Sequence, residues 1–278
     1  MNVEVGVSGN KKGIVAAAGG DLPVCILMLG RGRVGKTATA AALVQFYLAM
    51  GSDLQVWNLD QQNTSHGLSQ FHSGTLEPPE GSGFEDKKRW LEGRIQDQSK
   101  FGYDAIVDFP GGDTTIVTLA HEVKLVRMLQ RMKIRPVAVH VVGPSKADLD
   151  YLRQMAESGL FMPEATVILL NGGVVQSGRA VEAAFNEIIS DQVMTDVLKA
   201  GAMMITIPAL PCMTAVMDLR VSFRGAACGQ TSPGGEPLSP FDQERTSVWF
   251  EEEFPKTMEQ WPAEWAPRIG RQIVGDLG

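Results

Sequence analysis

A glycine-rich stretch with the sequence GRGRVGKT occupies residues 30–37 and directly follows a short apolar run. It fits the pattern GxxxxGK[ST], in which glycines let consecutive backbone N–H groups curl around phosphate oxygens. In this pattern the lysine, Lys36, reaches the β- and γ-phosphates, and the Thr37 hydroxyl is a ligand for Mg²⁺. A helical pattern starts at the lysine, and the positive end of a helix also favours phosphate. The alternative is a glycine-rich turn without a ligand. The predicted phosphate-binding residues are Gly30, Gly32, Arg33, Val34, Gly35, Lys36 and Thr37.

Two aspartates end apolar runs further along the chain. Asp108 closes the run DAIVD and is followed by Phe-Pro-Gly-Gly, and Asp60 closes the run LQVWNLD. Ligands of open α/β sheets bind at the carboxyl ends of the strands, where both carboxylates would emerge. We therefore expect Asp108 to hold Mg²⁺ together with Thr37, directly or through water. Asp60 is expected to orient the attacking water and to contribute to the metal site. Each aspartate could instead cap a helix or a turn.

The elements that position these residues are predicted from hydrophobic patterning. Six short apolar runs alternate with stretches of helical periodicity. The runs cover residues 23–29, 54–59, 104–109, 136–142, 165–170 and 203–207, and the helical stretches cover residues 36–50, 85–99, 114–133, 146–158 and 178–200. This alternation predicts an α/β fold, a mainly parallel twisted sheet with helices on both faces.

The remaining segments complete the predicted organisation. Residues 1–20 are predicted to form a flexible extension, and residues 21–278 a single nucleotide-binding domain. Within that domain, residues 225–240 are rich in Gly, Pro and Ser and predict a long surface loop. A helical segment at residues 243–258 should end or kink at Pro255. The tryptophans of residues 261–267 are expected to pack the end of the chain against the fold.

Taken together, these motifs resemble those of the deviant-Walker-A ATPases of the ParA/MinD superfamily. The resemblance spans about residues 24–254 and rests on the loop at residues 30–37, the segment NLDQQN at residues 58–63 and the end of the strand at Asp108. It implies binding and slow hydrolysis of Mg²⁺-ATP, with the nucleotide controlling a homodimer. In that family the position of Arg31 carries a lysine that reaches the partner's nucleotide, so the resemblance gives Arg31 a catalytic role beside Lys36 and Asp60. Asn58 and Arg33 depart from the family pattern, which has an aspartate and a glycine there.

Two further positions of the resemblance concern the base. Asn171 follows the fifth apolar run and resembles the family's asparagine that hydrogen-bonds adenine, and Pro208 lies in a loop that resembles the one beside the base. No [NT]KxD segment of the kind that reads guanine follows Asn171, so ATP is favoured over GTP. Asn171 could instead be a turn residue before two glycines.

Composition excludes several classes of protein and indicates a cellular location. The 278 residues include 44% hydrophobic and 21% charged residues, which excludes a chain disordered throughout and a collagen. The three cysteines form no CxxC pair, which indicates a reducing, cytoplasmic location. The first 29 residues superficially resemble a signal peptide, but Gly19, Gly20 and Asp21 interrupt the apolar run.

Charge and the family resemblance together suggest partners. The net charge of −7 argues against constitutive DNA binding by a monomer. Nonspecific DNA binding by the ATP-bound dimer remains an option, with a basic patch made by Arg220, Arg224, Arg268 and Arg271. Residues 268–278 are too short and glycine-broken for a membrane-binding helix. We therefore expect a role in plasmid or DNA partition, or in conjugation-related positioning, with an unidentified activating protein and no membrane.

Two other functions stay open at this point. A nucleotide-dependent dimeric scaffold with little or no hydrolysis is suggested by Arg31 and Asn58. A small-molecule kinase would need a nucleotide lid with arginines, and the long loop at residues 225–240 contains none.

Overall fold

A single parallel sheet forms the centre of the chain. The computed structural model describes residues 20–270 apart from residue 62 and residues 64–66, so nearly all of the predicted extension at residues 1–20 lies outside the described residues. The strands are β1 (Val24–Leu29), β2 (Leu54–Asn58), β3 (Asp104–Asp108), β4 (Arg135–Val142), β5 (Ala165–Asn171) and β6 (Met203–Ile207). Their order is β2-β3-β1-β4-β5-β6, and every neighbouring pair is parallel. Each strand agrees with its predicted run within one residue at either end.

Helices cover both faces of this sheet, as predicted. They are α1 (Lys36–Ala49), α2 (Phe84–Phe101), α3 (Thr115–Val123), α4 (Leu125–Arg131), α5 (Asp150–Ser158), α6 (Val181–Ile189), α7 (Gln192–Lys199), α8 (Met213–Leu219), α9 (Phe223–Ala227), α10 (Pro240–Val248) and α11 (Phe254–Met258). Ile26 and Met28 of β1 pack with α1, α8, α9 and α11, whereas Cys25 and Leu27 pack with α2–α5 on the opposite face. Because both faces are buried, the strands are continuously apolar rather than alternating.

Two predicted long helices are each divided in two. The stretch at residues 114–133 breaks at Lys124, whose φ of 50° is left-handed. The break resets the helical phase, so that Leu119 before it and Leu125 and Leu129 after it all reach the core. The stretch at residues 178–200 breaks before α7, where the Asp191 carboxylate accepts a hydrogen bond from Val193 N and caps the second helix.

The boundaries of the predicted loop at residues 225–240 are wrong at both ends. Residues 225–227 belong to α9, which Ser222 caps by accepting from Gly225 N, and Pro240 is the first residue of α10. Pro255, predicted to end or kink the helix at residues 243–258, does not end it, because helix continues to Met258. A π-helical turn at Trp249–Glu253 separates α10 from α11, and the proline lies in the first turn of α11, where a missing N–H is tolerated.

The end of the described chain is hydrogen-bonded to the amino end of β3, at the opposite end of the strands from the phosphate loop. Arg268 donates from its backbone N and from Nε to the buried Asp104 carboxylate at the start of β3, at 2.8 to 3.1 Å. The Arg268 side chain is therefore 12% exposed and pairs with Asp104. Of the arginines predicted to form a basic patch, Arg268 is thus already neutralised, Arg224 pairs with Glu251, and Arg271 lies outside the described residues.

A buried histidine in β4 predicts acid sensitivity. His140 is 1% exposed, and neither ring nitrogen has a hydrogen-bond partner within the described part of the chain. Burial lowers the pKa of His140 from 6.5 to about 4, so the unfolded chain binds the proton first as the pH falls. The free energy of unfolding should therefore lose up to about 3 kcal/mol from this group between about pH 7 and pH 4.

The measurement is the free energy of urea unfolding against pH for the wild type and His140→Leu. Burial raises the pKa of Asp108 to about 7, so that group acts in the opposite direction, stabilising the fold as the pH falls. The difference between the two proteins isolates His140, because Asp108 is common to both. The wild type should lose more stability than His140→Leu on acidification, and parallel curves would contradict this expectation.

Candidate phosphate and nucleotide site

The glycine-rich loop lies at the carboxyl end of β1 and leads into α1. Gly30 has a φ of 135°, and a Cβ there would lie 2.5 Å from Val141 O of the neighbouring strand β4. Gly35 has a φ of 83° just before the helix, where a Cβ would collide with Asn171 Nδ2. Glycine is required at both positions for steric reasons. Arg33 adopts a φ of 69°, a backbone conformation that favours glycine, so the arginine is accommodated under strain.

Lys36 is buried beneath the loop and surrounded by carboxylates. It is 6% exposed, and its Nζ donates to Arg31 O at 3.2 Å, a bond that curls the loop back over the lysine. Burial lowers the pKa of Lys36, and the negative charges of Asp108, Asp60 and Asp113 act against that lowering. Lys36 is therefore within electrostatic reach of three acidic side chains.

Thr37 connects the loop to the next strand of the sheet. Its Oγ1 donates to Asp108 Oδ2 at 2.8 Å and lies 3.4 Å from Asn63 Nδ2. Asp108 is fully buried, and burial raises its pKa to about 7, while the bond from Thr37 and the charge of Lys36 lower it. Its other oxygen, Oδ1, has no hydrogen-bond partner within the described residues.

These residues fit a magnesium ion held mainly by phosphate and water. A buried carboxylate oxygen without a partner, next to a threonine hydroxyl, offers hard oxygen ligands of the kind that Mg²⁺ prefers. No cluster of three or more His, Cys, Asp or Glu suited to a metal occurs among the described residues. Such a cluster is not needed here, because Mg²⁺ in kinase and ATPase sites keeps several waters and binds substrate phosphates.

Asp60 lies at the end of β2 on the wall of an open cavity of about 540 Å³. Its backbone N donates to Asn58 Oδ1 at 3.0 Å, and Asn58 Nδ2 donates to Glu77 Oε1 at 2.6 Å. Glu77 is placed there by its neighbour Leu76, which exchanges backbone hydrogen bonds with β2. The asparagine at position 58 thus holds Asp60 on one side and a second carboxylate, from Glu77, on the other.

Sequence reasoning missed Glu77 and Asp113 at this site. Glu77 comes 19 residues after Asn58, in a segment without periodicity. Asp113 accepts from Thr115 N at 2.6 Å at the start of α3, and burial is the main factor that raises its pKa. The signal available for Asp113 was its position directly before a helical pattern, where an aspartate often accepts from backbone N–H groups of the first turn, as its bond from Thr115 N shows.

The Arg31 side chain contacts a carboxylate of the same chain, that of Asp148. Its side chain is 53% exposed, and its Nη1 lies 3.7 Å from Oδ1 of Asp148, whose side chain is 12% exposed. Asp148 sits in a short 3-10 helix at Lys146–Leu149 that precedes α5, and its Oδ2 accepts from Ser145 N. A half-exposed pair of this length is weak, so the guanidinium is free to leave Asp148 for a stronger anion.

Asn171 and Pro208 line one pocket, of about 150 Å³, together with Gly35 of the loop. Asn171 Nδ2 donates to Val34 O at 2.8 Å, and its Oδ1 accepts from Gly173 N at 2.9 Å. Asn171 is therefore a turn residue, through its bond from Gly173 N, and the same side chain also stabilises the phosphate loop through its bond to Val34 O. Trp249, which sequence reasoning missed, closes the pocket and donates from Nε1 to Pro208 O at 2.9 Å.

Comparison with known proteins gives a likeness of fold. No protein-family model matches the chain, and no curated protein matches it. Similar solved structures include MinD of Aquifex aeolicus, with 13% identity over 83% of this chain and 97% of that chain and a TM-score of 0.47. They also include McdA of Cyanthece, with 13% identity over 84% and 99% and a TM-score of 0.46. A nucleotide-binding protein of Archaeoglobus fulgidus in complex with ADP has 18% identity over 71% and 87% and a TM-score of 0.38.

The chain's own sheet order and loop give it the α/β fold of P-loop NTPases. Across residues 20–270, leaving out residues 62 and 64–66, no helix has the length and apolar character needed to span a bilayer.

Proposed function

We propose that this chain is a Mg²⁺-dependent ATPase of the ParA/MinD kind, which hydrolyses ATP slowly and forms a homodimer when ATP is bound. The observation that carries the proposal is the 2.8 Å hydrogen bond from Thr37 to Asp108, beneath a glycine loop whose lysine is buried. It joins the loop to the neighbouring strand, which is the arrangement needed to hold a metal beside a phosphate.

The loop residues bind and orient the phosphates. Backbone N–H groups of residues 30–37 face the phosphate oxygens, and Lys36 exchanges its bond to Arg31 O for the β- and γ-phosphates. Thr37 and Asp108 hold the metal, with Asp60 nearby. When bound, Mg²⁺ would neutralise negative charge that develops on the transferred phosphoryl group. Desolvation of Lys36 and Asp108 strengthens each of these interactions, because the effective dielectric constant is lower there than in water.

Asp60 orients the attacking water in this proposal. Asn58 fixes the backbone of Asp60, and the open cavity beside it leaves room for solvent. Asn171, Pro208 and Trp249 line the pocket in which the adenine base binds, next to Gly35. ATP is favoured over GTP in this proposal because no [NT]KxD segment follows Asn171.

Arg31 connects nucleotide binding to dimerisation. In the single chain it contacts Asp148 only at 3.7 Å, so it can turn toward the γ-phosphate held by a second copy. An arginine offers two parallel hydrogen bonds to such an anion. The dimer then acts in plasmid or DNA partition, or in conjugation-related positioning, in the cytoplasm. Its nonspecific binding to DNA and its activation by a partner protein belong to the same proposal, and it needs no membrane.

Light scattering after size exclusion tests the nucleotide-controlled dimer. The wild type should have the mass of one chain in ADP and of two chains in Mg²⁺-ATP, and Arg31→Ala should remain a single chain in both. Arg131→Ala, which removes an exposed arginine at the end of α4, is the matched control and should dimerise. A third run with ATP and long double-stranded DNA tests DNA binding. A single chain in every condition would overturn the dimer.

A further inference from the structure

The loop between β3 and α3, residues 109–113, packs directly against the phosphate loop. Gly112 N donates to Gly30 O at 3.2 Å. A Cβ on Gly111 would lie 2.5 Å from both Cα and N of Gly32, so the two backbones touch with no room for a side chain. Because of this contact, a displacement of residues 109–113 displaces the phosphate loop as well.

The other end of residues 109–113 is held by a tyrosine from a different element. Tyr151, on α5, donates from its hydroxyl to Asp113 O at 2.9 Å and is 6% exposed. Asp113 N donates to Pro110 O at 3.2 Å, which closes the loop into a turn. The Tyr151 ring lies beside His140, with ring centroids 6.4 Å apart, in the interior of the fold.

The carboxylate of Asp113 contributes to the site through its charge. It is one of the three acidic groups that act on Lys36, together with Asp108 and Asp60. Residues 109–113 also follow Asp108 directly, so their position fixes how that strand end meets Thr37. The same segment that carries Tyr151 carries Asp148, the partner of Arg31. Residues 146–158 therefore contact both the phosphate loop, at Arg31, and the loop between β3 and α3, at Asp113.

We propose that Tyr151 is a positioning residue for ATP hydrolysis, which holds residues 109–113 against the phosphate loop through its hydrogen bond to Asp113 O. This inference rests on the proposed function. Tyr151 acts through the loop and has no contact of its own with Lys36, Thr37 or Asp108 among the contacts that the structure describes. Its hydroxyl should therefore affect turnover and leave the affinity for nucleotide largely intact.

Tyr151→Phe tests the proposal, since it removes only the hydroxyl oxygen. We expect kcat for Mg²⁺-ATP to fall about three- to tenfold, the equivalent of one hydrogen bond, with the Kd for ATP within about twofold of the wild type. Tyr103→Phe is the matched control, because Tyr103 also donates to a backbone carbonyl, Arg94 O at 3.3 Å, away from the phosphate loop. The control should lose a similar amount of stability and keep its kcat.

Amide hydrogen exchange of residues 109–113 is measured on the same proteins. Exchange there should be faster in Tyr151→Phe than in the wild type and unchanged in Tyr103→Phe. An active wild type whose kcat and loop exchange are both unaltered by Tyr151→Phe would overturn the inference and leave the proposed function standing. If the wild type has no turnover, the proposed function fails, and the exchange of residues 109–113 alone decides whether Tyr151 holds the loop.

Discussion

Replacing Lys36 by alanine is expected to weaken ATP binding about 100-fold and to reduce turnover to background. The lysine is buried under the phosphate loop, where its Nζ can exchange its single bond to Arg31 O for bonds to phosphate oxygens. A charge-assisted hydrogen bond contributes about 1.5–3 kcal/mol, and two such bonds in a site of low dielectric exceed the roughly 2.7 kcal/mol that corresponds to 100-fold.

Titration calorimetry with ATP and a phosphate-release assay measure both effects. The control is Lys199→Ala, which removes an exposed lysine at the end of α7 and should leave Kd and kcat unchanged. Thermal unfolding without nucleotide shows whether Lys36→Ala is folded. A folded Lys36→Ala variant that binds ATP as tightly as the wild type would place the nucleotide somewhere other than the loop at residues 30–37.

Asp60→Asn is expected to lower kcat about 100-fold or more while changing the Kd for Mg²⁺-ATP by less than about threefold. The substitution keeps the shape of the side chain and the bond from the backbone N of residue 60 to Asn58, and it removes the charge that orients a water in the proposed function. Positioned proton acceptors contribute about 10²–10⁴-fold to rates of this kind. Single-turnover phosphate release with enzyme in excess separates this loss from slow product release.

Glu80→Gln is the matched control for Asp60→Asn. Glu80 is an exposed carboxylate on the wall of the same cavity, so its replacement changes the local charge by the same amount. Equal losses in the two variants would mean that the general negative charge of the cavity matters and not the position of Asp60. An Asp60→Asn variant with the kcat of the wild type would remove Asp60 from the mechanism.

The strands and the phosphate loop could be read from the sequence because their signals are local. Each strand is a continuous apolar run, and the loop combines glycine, lysine and threonine within eight residues. Asp108 could be placed because a strand end is also a local signal. The helix breaks at Lys124 and Asp191 were missed because the periodicity on either side is helical, and only packing against the sheet reveals the change of phase.

The long-range partners of the site could not be predicted. Tyr151 reaches Asp113 across 38 residues, and Trp249 reaches Pro208 across 41 residues. Both contacts are made by side chains of types that usually indicate core packing. Glu77 reaches Asn58 only because Leu76 pairs with the edge strand β2.

Two residues that differ from the motifs the sequence otherwise resembles, Arg33 and Asn58, also needed the structure to be understood. Arg33 takes a left-handed backbone conformation that glycine would adopt without strain. Asn58 uses its amide to hold Glu77, so a carboxylate stands beside Asp60 even though position 58 itself carries none. An aspartate at position 58 would instead face Glu77 with a like charge at hydrogen-bond distance.

Phosphate release from ATP by the wild type, with Mg²⁺ and with EDTA, tests the central claim most directly when Lys36→Ala and Asp60→Asn are assayed in parallel. The proposed function predicts slow, magnesium-dependent release that EDTA abolishes and that both substitutions reduce to background. ATP-induced dimerisation of a wild type that releases no more phosphate than Lys36→Ala would contradict it, and would identify the chain as a nucleotide-dependent scaffold instead of an ATPase.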